Sequence, residues 1–150
     1  MKLILPFVET MAIQSCNLSC VGCTNYSDLI HKGYVSWNSI ENDLKEWLEV
    51  IDIKDFGIMG GEPLLNPEIE QWIIGIRKLL PNSRIRFTTN GLKLHNNFHL
   101  VDLMHKLENF SFKITVHKNT KELQKTIDKI LNSYDWKPVA EFGIDRLITT

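Results

Sequence analysis

Three cysteines lie within eight consecutive residues and carry the clearest chemical signal in the sequence. They are Cys16, Cys20 and Cys23, in the run Cys-Asn-Leu-Ser-Cys-Val-Gly-Cys, and the 150-residue chain has no other cysteine. An odd and closely spaced set of thiols is typical of metal ligands rather than disulfides. Three thiolates on one loop can bind a cluster of four irons and leave one iron without a protein ligand. The spacing therefore predicts an iron–sulfur site with one position open to a small molecule.

Zinc is the main alternative metal, because the Cys-x2-Cys spacing also suits a tetrahedral zinc site. The nearest further candidate ligand is His31, which stands alone in a loop that contains Gly33. The sequence thus offers no evident fourth zinc ligand. A zinc or iron–sulfur binding module without catalytic activity stays open as the alternative function.

Two further motifs follow later predicted strands. The second strand leads into Gly60, Gly61, Glu62 and Pro63, and the third leads into Asn90-Gly91. Paired glycines let the backbone approach a ligand without an intervening Cβ, and Pro63 fixes the turn that follows. Asn-Gly by itself is an ordinary turn signal.

The fourth predicted strand alternates between apolar and polar residues. Phe112, Ile114 and Val116 fall on one side and are expected to meet the helices. Thr115 and His117 fall on the other side, near the end of the strand. We expect these two side chains to face the site.

The elements that must position these residues alternate strictly along the chain. Helical spacing predicts helices over 37–51 behind a Ser36 cap, 69–80, 100–107, and 123–134 behind a Thr120 cap. Strand-like runs separate them: Thr10–Ser15, Asp55–Met59, Arg84–Thr89, Ser111–His117 and Glu141–Ile148. Such alternation favours parallel strands joined by right-handed crossovers, as an open sheet or as a closed or partly closed barrel. In either case ligands gather at the carboxyl ends of the strands.

Composition limits the remaining possibilities. Hydrophobic residues make up 43% and charged residues 23% of the chain, as in an ordinary globular protein, and the length predicts a single domain over 1–150. A net charge of -1 gives no positive field for general nucleic-acid binding. Neither a signal core nor a membrane span is recognisable, so we expect a cytoplasmic protein without a membrane partner. Neither G-x-G-x-x-G nor a P-loop is present, which disfavours an open-sheet nucleotide-binding domain.

Together, the cysteine motif after the first strand and the Gly-Gly-Glu-Pro segment after the second resemble the signature of radical S-adenosylmethionine (SAM) enzymes. The Thr-Asn-Gly at the end of the third strand is similar to the one found there in many members. The resemblance implies an α/β fold, a partial (β/α) barrel of parallel strands that is truncated relative to a core of six units. It also implies that Cys16, Cys20 and Cys23 ligate a [4Fe-4S] cluster and are the catalytic residues. By the same resemblance, Gly60, Gly61, Glu62, Pro63, Asn90, Thr115 and His117 bind S-adenosylmethionine.

The function implied by the resemblance is reductive cleavage of S-adenosylmethionine to a 5′-deoxyadenosyl radical, which abstracts hydrogen from a substrate. A flavodoxin- or ferredoxin-type protein would donate the electron. The sequence segments CNLxCxxC and GGEPLLNP resemble those of the peptide-modifying branch of the family, which favours a peptide or protein substrate over a small metabolite or nucleotide. One position departs from the family: Gly22 replaces a frequent aromatic residue. Adenine is then expected to meet the backbone near Asn25 and Tyr26.

Overall fold

The computed structural model describes residues 1–27, 29, 31–134 and 142–146, which form strands and helices in strict alternation. The strands are β1 Leu3–Ile13, β2 Ile51–Gly60, β3 Arg84–Thr89, β4 Phe110–Val116 and β5 Phe142–Arg146. The helices are α1 Trp37–Trp47, α2 Ile69–Leu79, α3 Phe98–Lys106 and α4 Lys121–Ser133. Two short 3-10 turns, Pro63–Leu65 and Leu94–Asn96, follow β2 and β3. The predicted alternation is therefore confirmed.

The five described strands form one parallel sheet in the order β1-β2-β3-β4-β5. This sequential order is the winding of a (β/α) barrel, whereas a doubly wound sheet reverses its order at a switch point. The parallel α/β class is thereby confirmed. All carboxyl ends of the strands lie at one edge of the sheet.

The first strand begins earlier than the sequence predicts. The pattern indicates a strand over Thr10–Ser15, but β1 runs from Leu3 to Ile13 and pairs with β2 from its first residue. Pro6 argues against a strand at this point because it has no backbone N–H to donate. An edge strand tolerates proline, and β1 is at the edge of the sheet.

The predicted helix caps are confirmed. The Ser36 hydroxyl accepts a hydrogen bond from the Ser39 N–H at 3.3 Å, and the Thr120 hydroxyl accepts one from the Leu123 N–H at 3.1 Å. The first helix ends at Trp47, so its predicted extension to residue 51 is wrong. Residue 51 instead begins β2, whose first apolar side chain happens to continue the helical spacing.

The hydrophobic core lies between one face of the sheet and the helices. Phe112, Ile114 and Val116 of β4 are buried there as predicted, and Phe112 stacks on Phe87 of β3 with ring centroids 5.8 Å apart. Trp72 of α2 is fully buried and meets Trp37 of α1 edge to face at 6.2 Å. This packing positions the strand ends rigidly. Within the described residues, no helix is both long enough and apolar enough to cross a membrane.

Candidate functional site

The three cysteines lie on a loop whose two ends meet at the end of β1. Ile13 forms an isolated antiparallel bridge with Tyr34, and the Gln14 N–H donates to the Gly33 carbonyl at 2.9 Å. The loop therefore leaves the sheet and returns to it at the same point. This closure keeps all three thiols at the carboxyl edge of the sheet, where the sequence predicts a site.

The three thiols are not joined in disulfides and are partly exposed, but their surroundings differ. Burial raises the pKa of Cys16, although the Leu18 N–H donates to its sulfur at 3.4 Å. At Cys23, burial is outweighed by the backbone N–H groups of Ser27, Asn25 and Tyr26, and the pKa is lowered. These donors favour the thiolate at Cys23, which is the form that binds metals.

The chemistry of the three thiols can be compared with what an iron–sulfur cluster requires. In the part of the chain that the structure describes, no three His, Cys, Asp or Glu side chains are arranged to hold one ion. A four-iron cluster makes a different demand, because each thiolate binds a different iron and the sulfurs need not converge on one point. Three partly exposed thiols on one loop fit that group.

The Gly-Gly segment packs directly against the base of the cysteine loop. The Gly61 N–H donates to the Ile13 carbonyl at 2.8 Å. A Cβ on Gly60 would lie 2.4 Å from the Ile13 carbonyl oxygen, and one on Gly61 would lie 2.3 Å from that of Ser15. Both glycines are thus required by contact between two backbones, in addition to any ligand. The Asn25 side chain closes the same junction by donating to the Gly60 carbonyl at 2.8 Å.

Glu62 is fully buried and links the end of β2 to the end of β3. Its carboxylate accepts hydrogen bonds from the Thr89 hydroxyl at 2.6 Å, the Asn90 N–H at 2.7 Å and the Leu64 N–H at 3.1 Å. Burial raises the pKa of this carboxyl group, while the three hydrogen bonds oppose the shift. Pro63, also buried, begins the 3-10 turn that follows.

Asn90 connects the end of β3 to the cysteine loop. Its side-chain Nδ2 donates to the Asn17 Oδ1 at 2.7 Å and lies 3.9 Å from the Cys16 sulfur. Its Oδ1 accepts from the Leu92 N–H at 3.0 Å. The ends of β1, β2 and β3 are therefore joined in one hydrogen-bonded network.

Thr115 and His117 lie farther along the sheet, at the carboxyl end of β4. Thr115 is partly buried on the face opposite the helices, as the alternation predicts. The backbone N–H of His117 donates to the Thr115 carbonyl at 3.0 Å. Burial lowers the pKa of His117, which favours the neutral imidazole. One strand, β3, separates β4 from the Gly-Gly-Glu-Pro segment.

Two residues of the network, Ser15 and Asn17, escape prediction from the sequence, whereas Thr89 stands in the Thr-Asn-Gly motif and Asn25 is expected only through its backbone. The Ser15 backbone carbonyl accepts a hydrogen bond from the Glu62 N–H at 3.0 Å. Thr89, Asn17 and Asn25 supply the side-chain hydrogen bonds described above. Ser15 adjoins the cysteine motif and Asn17 lies within it. Their nearness to the motifs was the only available signal, because nothing in the sequence pairs positions so far apart.

Comparisons with known proteins agree with this arrangement. A family model described as Radical SAM superfamily matches residues 12–142. The crystal structure of BtrN in complex with AdoMet and 2-DOIA is similar in fold, with 18% identity and a TM-score of 0.70, and the match covers 97% of this chain and 58% of that one. The crystal structure of Streptococcus suis SuiB bound to precursor peptide SuiA is also similar in fold, with 14% identity and a TM-score of 0.55, and the match covers 97% of this chain and 40% of that one. Streptococcus suis SuiB bound to S-adenosylmethionine is similar too (15% identity, TM-score 0.55, 99% and 42%).

The chain thus spans about half the length of these solved structures. No curated protein sequence matches it. The family match covers the cysteine loop, the Gly-Gly-Glu-Pro segment and the ends of β3 and β4. The chain therefore belongs to the radical SAM superfamily, whose enzymes use a [4Fe-4S] cluster and S-adenosylmethionine.

Proposed function

We propose that the protein containing this chain is a radical SAM enzyme whose [4Fe-4S] cluster is held by Cys16, Cys20 and Cys23. The observation that carries the proposal is the position of these thiols on a loop closed at the end of β1 and hydrogen-bonded to the Gly-Gly-Glu-Pro segment. Three ligands leave one iron available to a small molecule. When bound, the cluster would supply one electron to the sulfonium of S-adenosylmethionine, giving methionine and a 5′-deoxyadenosyl radical that abstracts hydrogen from the substrate.

The Gly-Gly-Glu-Pro segment would orient the amino group of the cofactor through its backbone. The Glu62 carboxylate accepts three hydrogen bonds and is fully buried, and its burial keeps an incoming ligand from reaching it. The Gly60 carbonyl accepts from Asn25 and keeps a second lone pair. Gly60 and Gly61 would therefore make the contact, whereas Glu62 and Pro63 would hold the segment in place.

The polar groups at the end of β4 would contact the other end of the cofactor. Thr115 offers a hydroxyl on the face opposite the core, and the lowered pKa of His117 favours an imidazole with one donor and one acceptor. Both suit a ribose or a carboxylate. A flavodoxin- or ferredoxin-type protein would deliver the electron.

For the substrate we propose a peptide or protein. The cysteine and Gly-Gly-Glu-Pro segments resemble the peptide-modifying branch of the family, and SuiB, one of the similar structures, is bound to a precursor peptide. A small molecule is the alternative, since BtrN, with the higher TM-score, is in complex with 2-DOIA.

Anaerobic reconstitution of the full-length protein tests the activity. We expect at least four iron and four sulfide per chain, as one four-iron cluster requires, and formation of 5′-deoxyadenosine with dithionite. Alanine at any one of Cys16, Cys20 or Cys23 should abolish product formation. Ser19→Ala, an exposed position in the same loop, is the matched control and should retain it.

Two results would contradict the proposal: bound zinc without sulfide, or 5′-deoxyadenosine formation that survives loss of a cysteine. Candidate precursor peptides and candidate small molecules are then compared by their stimulation of 5′-deoxyadenosine formation. Stimulation by small molecules alone would exclude the peptide substrate.

A further inference from the structure

The side chain of Asn90 is held in one orientation by its own turn. Its Oδ1 accepts the Leu92 N–H at 3.0 Å, which directs Nδ2 toward the cysteine loop. There Nδ2 donates to the Asn17 Oδ1 at 2.7 Å and lies 3.9 Å from the Cys16 sulfur, within reach of an N–H···S hydrogen bond. An amide nitrogen carries two hydrogens, so it can serve both partners.

The backbone at Asn90 is also held in place, by hydrogen bonds to buried side chains. Its N–H donates to the buried Glu62 carboxylate at 2.7 Å, and the other carboxylate oxygen accepts from the Thr89 hydroxyl at 2.6 Å. The Thr89 hydroxyl in turn accepts the Gly91 N–H at 3.0 Å. Asn90 is itself only 6% exposed. The amide thus approaches Cys16 from a rigid support rather than from a mobile surface chain.

We propose that Asn90 is a positioning residue of the iron–sulfur site, which tethers the cysteine loop through Asn17 and donates an N–H to the Cys16 sulfur. This goes beyond direct cofactor binding, the role that resemblance implies for Asn90. It rests on the proposed function only in its effect on the cluster. Hydrogen bonds to ligating sulfurs are one of the features that set the reduction potential of a cluster, and such donors favour the reduced, more negative state.

The apo protein tests the tether without any cluster. Alkylation of each cysteine is followed by mass spectrometry, with Cys20 and Cys23 as internal references. Asn90→Ala should raise the rate at Cys16 relative to the references by about threefold or more, because the loop loses its tether and the partly buried sulfur becomes more accessible. The rates are compared per thiolate, from their pH dependence, since loss of the donated N–H by itself lowers the thiolate fraction. Asn17→Ala removes the acceptor without touching β3, together with the 3.9 Å contact in which the Cys16 thiol donates to the same Asn17 Oδ1, and should act in the same direction.

Asn97→Ala is the matched control. Asn97 lies in the same connection between β3 and α3, and its side chain donates to the Lys93 carbonyl at 2.8 Å, away from the cysteine loop. It should leave the Cys16 rate unchanged. If Asn90→Ala does not fold by circular dichroism, Asn17→Ala decides, and an unchanged Cys16 rate in the folded variant overturns the tether.

The reconstituted protein tests the N–H donation through a redox titration followed by electron paramagnetic resonance. Asn90→Ala should lower the equilibrium constant for one-electron reduction by about three- to tenfold, where tenfold corresponds to ~59 mV. Asn17→Ala should change it less, and Asn97→Ala not at all. An unchanged potential in Asn90→Ala overturns the donation. A wild-type protein that binds no cluster contradicts the proposed function instead, and the alkylation result then stands on its own.

Discussion

At the scale of single residues, Gly61 shows how a motif can serve the fold and the ligand together. A Cβ at this position would lie 2.3 Å from the Ser15 carbonyl oxygen, a backbone atom that cannot move aside cheaply. We expect Gly61→Val to lower the free energy of unfolding by about 3 kcal/mol, the upper range for overpacking. Chemical denaturation measures it. Gly33→Ala is the control, since a Cβ on Gly33 would have no atom within 4 Å, and equal stability of both variants would contradict the steric account.

Glu62 is the buried acceptor on which three donors converge, so its replacement by glutamine should be costly. The glutamine amide can replace only one carboxylate oxygen and leaves a buried donor facing another donor. We expect Glu62→Gln to lose about 2 kcal/mol at pH 5, by chemical denaturation. Glu46→Gln, on the exposed face of α1, should be neutral.

The pH dependence of this loss has a definite sign. Burial raises the pKa of Glu62 in the folded state, so the folded protein holds this proton more tightly than the unfolded chain. The stability of the wild type relative to Glu62→Gln should therefore decline as the pH rises above the ordinary glutamate pKa of about 4.3. A difference that grows with pH would show that the three hydrogen bonds outweigh burial.

At the scale of elements, an ion cluster joins β2 to β3 on the sheet face opposite the core. Asp55 accepts from Arg84 at 2.9 and 2.6 Å and from Arg86 at 2.6 Å. The hydrogen bond from Arg84, with help from Arg86, lowers the pKa of Asp55 against the opposing effect of burial. The Asp55 side chain is 18% exposed and the two arginine side chains are more exposed, which limits how much these ion pairs stabilise the fold.

We expect Asp55→Asn to cost about 1 kcal/mol at neutral pH, near the upper end for partly exposed ion pairs. Because the pKa of Asp55 is lowered in the folded state, its contribution is present above the ordinary aspartate pKa and is lost as the pH falls through the folded value. Denaturation should thus show a larger loss at pH 7 than at pH 3. Asp52→Asn is the control, because it breaks a more exposed ion pair with Lys54 and should cost less stability. An equal cost of Asp55→Asn at pH 3 and pH 7 would contradict the ionic origin of its contribution.

The sequence predicts elements well where local signals agree and poorly where the sheet decides. Arg84–Thr89 is predicted with its observed bounds because its alternation is clean and Pro81 and Asn90 flank it. The start of β1 is missed because its proline is acceptable only at the edge of a sheet, which is a property of the whole fold. Of the predicted strand Glu141–Ile148, β5 covers Phe142–Arg146, and the remaining positions lie outside the described residues.

At the scale of the whole molecule, the site was predictable as a set of motifs but not as a network. Parallel topology brings the ends of successive strands to one edge, so Cys16, Glu62 and Asn90 could be expected near each other. The bonds that join them link positions 73 residues apart, as between Asn17 and Asn90. Such contacts depend on sheet register and on side-chain orientation, which local spacing does not encode.

The same separation between scaffold and site leads to a prediction for the whole chain. The core lies between the sheet and the helices, whereas Cys16, Cys20 and Cys23 are only partly buried on a loop outside it. Replacing all three by alanine should therefore change the free energy of unfolding of the apo protein by no more than about 0.5 kcal/mol, the usual effect of substitutions away from the core. Iron uptake on reconstitution should be lost completely. Chemical denaturation and iron analysis of the same preparation measure both effects. Cooperative unfolding shifted by several kcal/mol would mean that the thiols help to stabilise the fold, and retained iron would place the cluster elsewhere.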